Sequence, residues 1–366
     1  MMKQLVVLVS VSLISLFLFW SPFIFKIDSF WGIKFGGHGL ETIVQNFDGL
    51  NYIAVAKTLY DPTQLEKVFV GFGNPPIYYA AHFPIFPLLI RAFDTVFDGP
   101  RSLLLAIIVS NILLCTSLYI FFETLLKDKK LATMLSVIAL FFPARMLSVR
   151  MVGTSEPMFI AFVLLSLAMA YKRKHWWGAI WGGLAVLTRS PGILLFGAYL
   201  IQFTFTKKLK LCYPYLLMPL SLFLLFGWYG HQYGNFWAYF SSSSELHPVF
   251  FPPLLIFSNM TSWINGMWRE DIIYIYLFYG MGICLLKDKT AKIFGILMGG
   301  LLLLTAHQDL GRYALPLAPI ALLGFAPYLN HKNIRWLAIL IIPIFLLGWQ
   351  FVVANIQPIS DWSKLL

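Results

Sequence analysis

Apolar stretches too long for any soluble core recur along the whole of this chain, and most of its positive charge is gathered into the short connections between them. Reading the runs between charge clusters places candidate membrane spans at about 5–25, 101–126, 131–147, 157–171, 176–188, 191–206, 211–231, 271–286, 292–306, 313–329 and 335–354. A helix needs about 20 apolar residues to cross a hydrocarbon core of ~30 Å, so these segments, about eleven in all, describe an all-α polytopic membrane protein. Composition agrees, with 59% of residues hydrophobic and 12% charged, too little charge to clothe a water-facing surface. Residues 1–366 read as a single transmembrane domain with two large loops, 26–100 and 232–270, on one side.

The net charge of +11 would suit a polyanion-binding protein, but its distribution argues against nucleic acid as a partner. With a cytoplasmic N-terminus, the inside connections hold Lys3, Lys127, Lys129, Lys130, Lys172, Arg173, Lys174, Lys207, Lys208, Lys210, Lys287, Lys289, Lys292, Lys332 and Arg335. These are fifteen of the 27 basic residues, set against only three acids, Glu123, Asp128 and Asp288. The opposite side is left close to neutral. That asymmetry is the positive-inside signature, so the basic excess orients the chain and the informative charges are the outer ones.

The inside connections run to only three to six residues, which leaves no room for a cytosolic catalytic domain. No glycine loop able to cradle a nucleotide occurs there; Gly36-Gly37-His38-Gly39 lies outside and follows no strand. The opening run from Leu5 ends in Trp20-Ser21-Pro22-Phe23-Ile24-Phe25 and lacks a small-residue cleavage site, which favours an uncleaved first span over a signal peptide. Cys115, Cys212 and Cys284 all fall within spans, so neither a disulfide framework nor a metal cluster is expected, and no cofactor is implied.

On the outer side, Ile43, Phe47, Leu50 and Ala54 carry the spacing of a helix over 41–59 lying along the interface, and a second helix, Phe86 to Phe97, follows the turn at Pro84. The Gly-, Pro- and Asn-rich stretch from Asp61 to Tyr79 reads as a mobile loop, and 232–270, with Ser241 to Ser244, His247-Pro248 and Pro252-Pro253, as a flap. Asn259-Met260-Thr261 fits a glycosylation sequon. Several spans are short: the 13 residues of 176–188 cover about 20 Å. Glu156 and Arg189 would therefore sit below the membrane surface, where charge is costly unless it pairs or lines water, and where irregular Pro/Gly backbone must face protein or a wet cavity. An outward-open aqueous pocket lined by Arg150, Glu156, Arg189 and Arg312 is the resulting expectation.

One isolated carboxylate stands in the first outer loop, in Phe47-Asp48-Gly49, followed by Tyr52-Ile53-Ala54 and Tyr60. After it come His82-Phe83-Pro84-Ile85-Phe86-Pro87-Leu88-Leu89, Thr154-Ser155-Glu156-Pro157-Met158-Phe159, Gly182-Gly183-Leu184-Ala185-Val186-Leu187-Thr188-Arg189-Ser190-Pro191-Gly192 and Gly311-Arg312-Tyr313. This ordered set, over about residues 40–320, resembles the PIG-V-type mannosyltransferases of the GT-C superfamily, including their prokaryotic members. The resemblance implies an inverting glycosyltransferase that moves a hexose, with mannose the expected sugar, from a polyprenyl-phosphate donor to an acceptor hydroxyl on a glycolipid, glycan or protein at the extracytoplasmic face. It also implies the GT-C bundle with two juxtamembrane helices in the first outer loop, and Asp48 as catalytic base. Phe47 stands where the family commonly has Trp, and Ser190 where a Pro often follows the Arg.

The residue inventory suits that chemistry. Hydrolytic inverting glycosidases need two carboxylates because their leaving alkoxide must be protonated. A lipid phosphate leaves as an anion, so one base and cations around the leaving group suffice. His82, Arg150, Glu156, Arg189, His307 and Arg312 form the candidate substrate-binding set.

Each has a simpler rival reading. Asp48 before Gly suits a turn or a helix cap; Arg189 and Arg312 suit pairing with Glu156 or Asp309; His82 and His307 suit interfacial histidines with their bonds met. Asp61, Glu66, Asp94, Asp98, Glu245, Glu270 and Asp271 read as solvated loop charges. A transporter or lipid flippase with a charged intramembrane path is the alternative function, although the internal repeat such folds carry is not visible. A multi-pass location in a prokaryotic plasma membrane is expected, with the endoplasmic reticulum as the alternative.

Overall fold

The computed structural model describes residues 2–69, 74–242, 253–258, 266–359 and 361–366, and apart from a small hairpin pairing Ser29–Phe30 with Ile33–Lys34 their regular structure is helical. Helix α1 (Met2–Ile24) leads into a segment holding α2 (Glu41–Val44), α3 (Gly49–Thr58), α4 (Pro62–Phe69) and α5 (Ile85–Asp94). Next come α6 (Gly99–Leu126), α7 (Lys129–Phe141), α8 (Ala144–Arg150), α9 (Glu156–Tyr171), α10 (His175–Val186), α11 (Ile193–Phe205), α12 (Leu217–Tyr233) and α13 (Ala238–Ser242). The chain ends with α14 (Gly266–Leu285), α15 (Lys289–Leu303), α16 (Leu310–Tyr313), α17 (Leu317–Leu329) and α18 (Ile341–Ala354).

Among the described residues, four helical segments are long and apolar enough to cross a membrane: Met2–Ile24, Gly99–Leu126, Leu209–Tyr233 and Lys332–Ala354. The bent pair α7 and α8 makes a fifth if taken as one span, and α9, Ser190–Phe205 and α17 are apolar but shorter. This is an all-α membrane protein. α9 lies deepest, with every residue from Glu156 to Ala168 buried, as a helix apolar on all sides must be. It packs between α6 and α10, while α6 also meets α1, α5 and α7. Small residues let α14 and α17 touch at backbone distance, since a Cβ on Gly282 would stand 2.6 Å from the Cα of Ala321. Apolar helices in lipid associate through such close fits.

The segment expected as one span over 131–147 is broken. α7 stops at Phe141, Pro143 follows, and α8 departs at 75°. A break of this kind strips the last carbonyls of α7 of their helical partners. Arg150 supplies one: its Nε donates to the Leu140 carbonyl at 2.9 Å, Nη1 to Asn111 Oδ1 at 2.9 Å and Nη2 to Ser15 Oγ at 2.8 Å. Fully buried, Arg150 therefore does not line a pocket, because its guanidinium is spent on pinning α1, α6 and α7 to α8. Arg150→Leu is expected to cost about 2–4 kcal/mol through the acceptors it orphans. Thermal unfolding in detergent reads that loss, while activity per folded molecule stays at the wild-type level.

Other expectations shift locally. The helix read over 41–59 divides into α2 and α3, although Ile43, Phe47, Leu50 and Ala54 are all buried as their spacing predicts. The stretch read as a mobile loop from Asp61 contains α4, with Asp61 Oδ1 accepting from Thr63 N at 2.9 Å, and a 3₁₀ turn at Pro76–Ala81. The second outer helix begins at Ile85 and ends at Asp94. Asp98 caps α6, Asp94 pairs with Lys57 at 3.4 Å, and Glu270 and Asp271 ride on α14. Part of the expected flap, including Glu245, His247 and the sequon at Asn259, lies outside the described residues.

Candidate active site

Asp48 occupies the position before α3 where an aspartate ordinarily caps the helix, yet its side chain accepts no bond from the backbone of α3. Asp98, Asp128 and Asp288 at the starts of α6, α7 and α15 do cap, each accepting from a backbone N–H of the first turn. The carboxylate of Asp48 is instead aimed away from its helix: Oδ2 accepts from Arg312 Nη2 at 2.9 Å and Oδ1 lies 3.7 Å from His82 Nε2. A capping role does not account for it.

Two glycines bring its turn against the next part of the site. A Cβ on Gly153 would stand 2.6 Å from the Cα of Gly49, so only a glycine at 153 lets the turn at 46–49 press onto the turn at 151–155, while Gly49 itself is required by the Val44 carbonyl, which leaves no room for a Cβ there. That contact sets Asp48 beside Glu156, the first residue of α9. Glu156 Oε1 accepts from Arg189 Nη1 at 2.7 Å and also, at close range, from Arg312 Nε. Arg189 reaches it from an extended residue between α10 and the Ser190–Gly192 turn. Arg312, on α16, further lies 3.9 Å from Asp309 through Nη1, and Asp309 accepts from Arg145 of α8. Three arginines and three carboxylates thus alternate in one charge-balanced network drawn from distant parts of the chain.

The network has an inside and a rim. The side chains of Glu156 and Arg312 are 2% and 9% exposed, against 27% for Asp48, 25% for Arg145 and 21% for Arg189. The Arg145 guanidinium lies 3.5 Å from the centroid of the Phe351 ring on α18, and Phe351 stacks on Phe47. Phe47 also faces Arg312 at 4.6 Å, so it keeps an aromatic face toward the cations. Tyr52 on α3 shares a hydrogen bond of 2.8 Å with Ser155, which tightens the same corner. Among the described residues, two buried atoms here have no hydrogen-bond partner, Glu156 Oε2 and His82 Nδ1.

Burial on its own would raise the Asp48 carboxyl, but the charge of Arg312, with His82 beside it, outweighs burial and holds the group well below the usual carboxylate range. In the resting site Asp48 is an anion across the working pH range.

Of the residues singled out from sequence, Asp48, His82, Glu156, Arg189 and Arg312 come together. His307 flanks them, its Nδ1 accepting from Asp309 N at 3.0 Å and its ring 4.9 Å from that of Tyr313. Arg150 does not join them. Arg145, hidden in an apolar run, was missed as a site residue, and the signal that could have found it is Pro143, which ends the helix two residues earlier. No protein-family model matches this chain, and a search of curated proteins returns no significant match.

Proposed function

We propose that this protein is an integral-membrane inverting glycosyltransferase of GT-C type, transferring a hexose from a polyprenyl-phosphate donor to an acceptor hydroxyl with Asp48 as general base. On this reading the shorter apolar helices also cross the membrane, giving about eleven spans, and α3 and α5 are the juxtamembrane helices of the first outer loop. The observation that carries the proposal is an uncapped, partly open Asp48 held against a guanidinium and a histidine at the rim of a charge network. Networks of buried charge seldom repay their desolvation in stability alone, and in membrane proteins they mark functional sites.

The acceptor oxygen attacks the anomeric carbon, its proton passes to Asp48, and the bond from that carbon to the phosphate oxygen breaks with its electron pair leaving on the phosphate. The arginines divide the work. Arg312 is committed to Glu156, Asp48 and Asp309 and serves as their internal counter-ion. Arg145 and Arg189, each engaged through one amino group and open at the rim, are the cations placed to meet an incoming phosphate. The unpartnered Glu156 Oε2 and His82 Nδ1 are suited to sugar hydroxyls.

The direct test is hexose transfer by the purified full-length protein from a polyprenyl-phosphate hexose; absence of donor cleavage with any hydroxyl acceptor present in the source membranes would reject the reading. Arg145→Gln is expected to weaken binding of a polyprenyl phosphate by about tenfold, close to 1.4 kcal/mol, and Arg145→Lys by less. Titration with the carrier phosphate alone checks this without requiring turnover.

A further inference from the structure

The turn that presents Asp48 is joined to α3 through its backbone, the Asp48 carbonyl accepting from Tyr52 N at 2.9 Å, but it is also held from outside that helix. Phe47 adopts a left-handed backbone, φ 49°, a conformation that costs a bulky residue energy and persists only where the surroundings enforce it. Those surroundings are the far end of the chain. Asn46, fully buried, donates from Nδ2 to the carbonyl of Thr42 at 2.9 Å and to that of Val352, near the end of α18, at 2.9 Å. Its Oδ1 accepts from Asn355 Nδ2 at 3.4 Å, and its backbone pairs antiparallel with Ile356. Gln357 N donates to the Gln45 carbonyl at 3.0 Å, and the Phe351 ring lies against Phe47 at 5.4 Å.

The same tail is fastened again at the other end of α3. Gly99 N donates to the carbonyl of Leu365, a fully buried residue, at 3.1 Å, and Lys57 Nζ lies 3.3 Å from the carbonyl oxygen of Leu366. The helix that starts immediately after Asp48 is therefore tied down at both ends by residues more than 300 positions away.

We propose that the segment following α18 is a strap that fixes Asp48 in register with His82 and Arg312, and that Asn46 is its positioning residue. The proposal rests on the glycosyltransferase reading for its kinetic consequence, but not for its structural one. Asn46→Ala removes both donations and the tie to Asn355. Gln357→Pro deletes a single backbone donor while keeping Ile356 extended.

In the full-length protein both variants are expected to lower kcat with a polyprenyl-phosphate hexose about 10–100-fold, since a displacement near 1 Å at a reacting group has an effect of that size. KM for the donor and the binding stoichiometry of polyprenyl phosphate stay unchanged, whereas a variant that merely unfolds loses binding sites in step with rate. Independently of activity, amide hydrogen exchange over residues 45–52 is expected to rise in both variants, with peptides from α9 unchanged. Unchanged exchange over 45–52, unchanged kcat in active preparations, or a parallel fall in binding stoichiometry and rate overturns the strap. A wild-type protein that cleaves no donor, with exchange rising as stated, overturns the glycosyltransferase reading and leaves the strap standing.

Discussion

Asp48→Asn is expected to lower transfer from a polyprenyl-phosphate hexose by about 10²–10⁴-fold, the usual contribution of a positioned general base. Donor affinity stays near wild type, because the rim cations Arg145 and Arg189 are untouched. The neutral amide keeps the shape of the side chain and can still accept from Arg312, so folding is preserved and the loss falls on kcat. Turnover within a few-fold of wild type would remove Asp48 from the mechanism. The pH dependence follows from the same contacts. Because Arg312 holds the Asp48 carboxyl far below the ordinary value of about 3.9, kcat/KM for the proposed transfer is expected to show no acid limb from this group above about pH 4. The same depression adds stability above the unfolded-state value, and that stability is lost as pH falls through it toward the folded value. So acidic a carboxyl is also a weak proton acceptor. On the proposed mechanism its basicity would recover as an incoming phosphate takes Arg145 and Arg189, because Asp309 and Glu156 would then compete with Asp48 for Arg312. Arg312→Gln should accordingly move an acid limb upward into the range where a free carboxylate titrates.

Glu156→Gln is expected to be the most destabilising single change at the site, about 3–5 kcal/mol, the range for breaking a buried ion pair from one side. One oxygen of Glu156 serves both Arg189 and Arg312, so removing its charge takes from Arg189 its carboxylate partner and leaves buried Arg312 with Asp48 and Asp309 alone. A large fall in the unfolding temperature in detergent checks this, and an unchanged midpoint would mean that water or ligand, rather than Glu156, satisfies the two arginines. Asp309→Asn provides the comparison. Asp309 is 19% exposed and its loss is softened by solvent, so its effect should be clearly smaller.

The membrane class was legible in the apolar runs, and much of the site in residues whose charge had no business near lipid. Asp48, Glu156, Arg189 and Arg312 could be named because a lone charge beside Pro or Gly in an apolar chain is conspicuous. Their mutual pairing could not, because it depends on helix starts contributed by residues as far apart as 48 and 312. Arg145 and Arg150 illustrate the limit: five residues apart on one short helix, they read alike. The bend at Pro143 nevertheless turns Arg145 toward the rim and Arg150 into the interior. His82 reads from sequence either as a substrate-binding residue or as an interfacial histidine, and the turn after Tyr79 places it against Asp48. The tail after α18 has no periodic signature at all, and its place beside Asn46 comes from backbone pairing, which side-chain patterns do not encode.

The contact between Gly49 and Gly153 carries a consequence for how this protein can vary. A methyl group on Gly153 is a wedge that pries the proposed base away from the acid at the head of α9, and one on Gly49 collides with the Val44 carbonyl of its own turn, so alanine at either should disturb the site more than far bulkier changes on the surface. The two turns can drift only together, and a chain that has lost Gly153 has lost the juxtaposition on which its chemistry would depend.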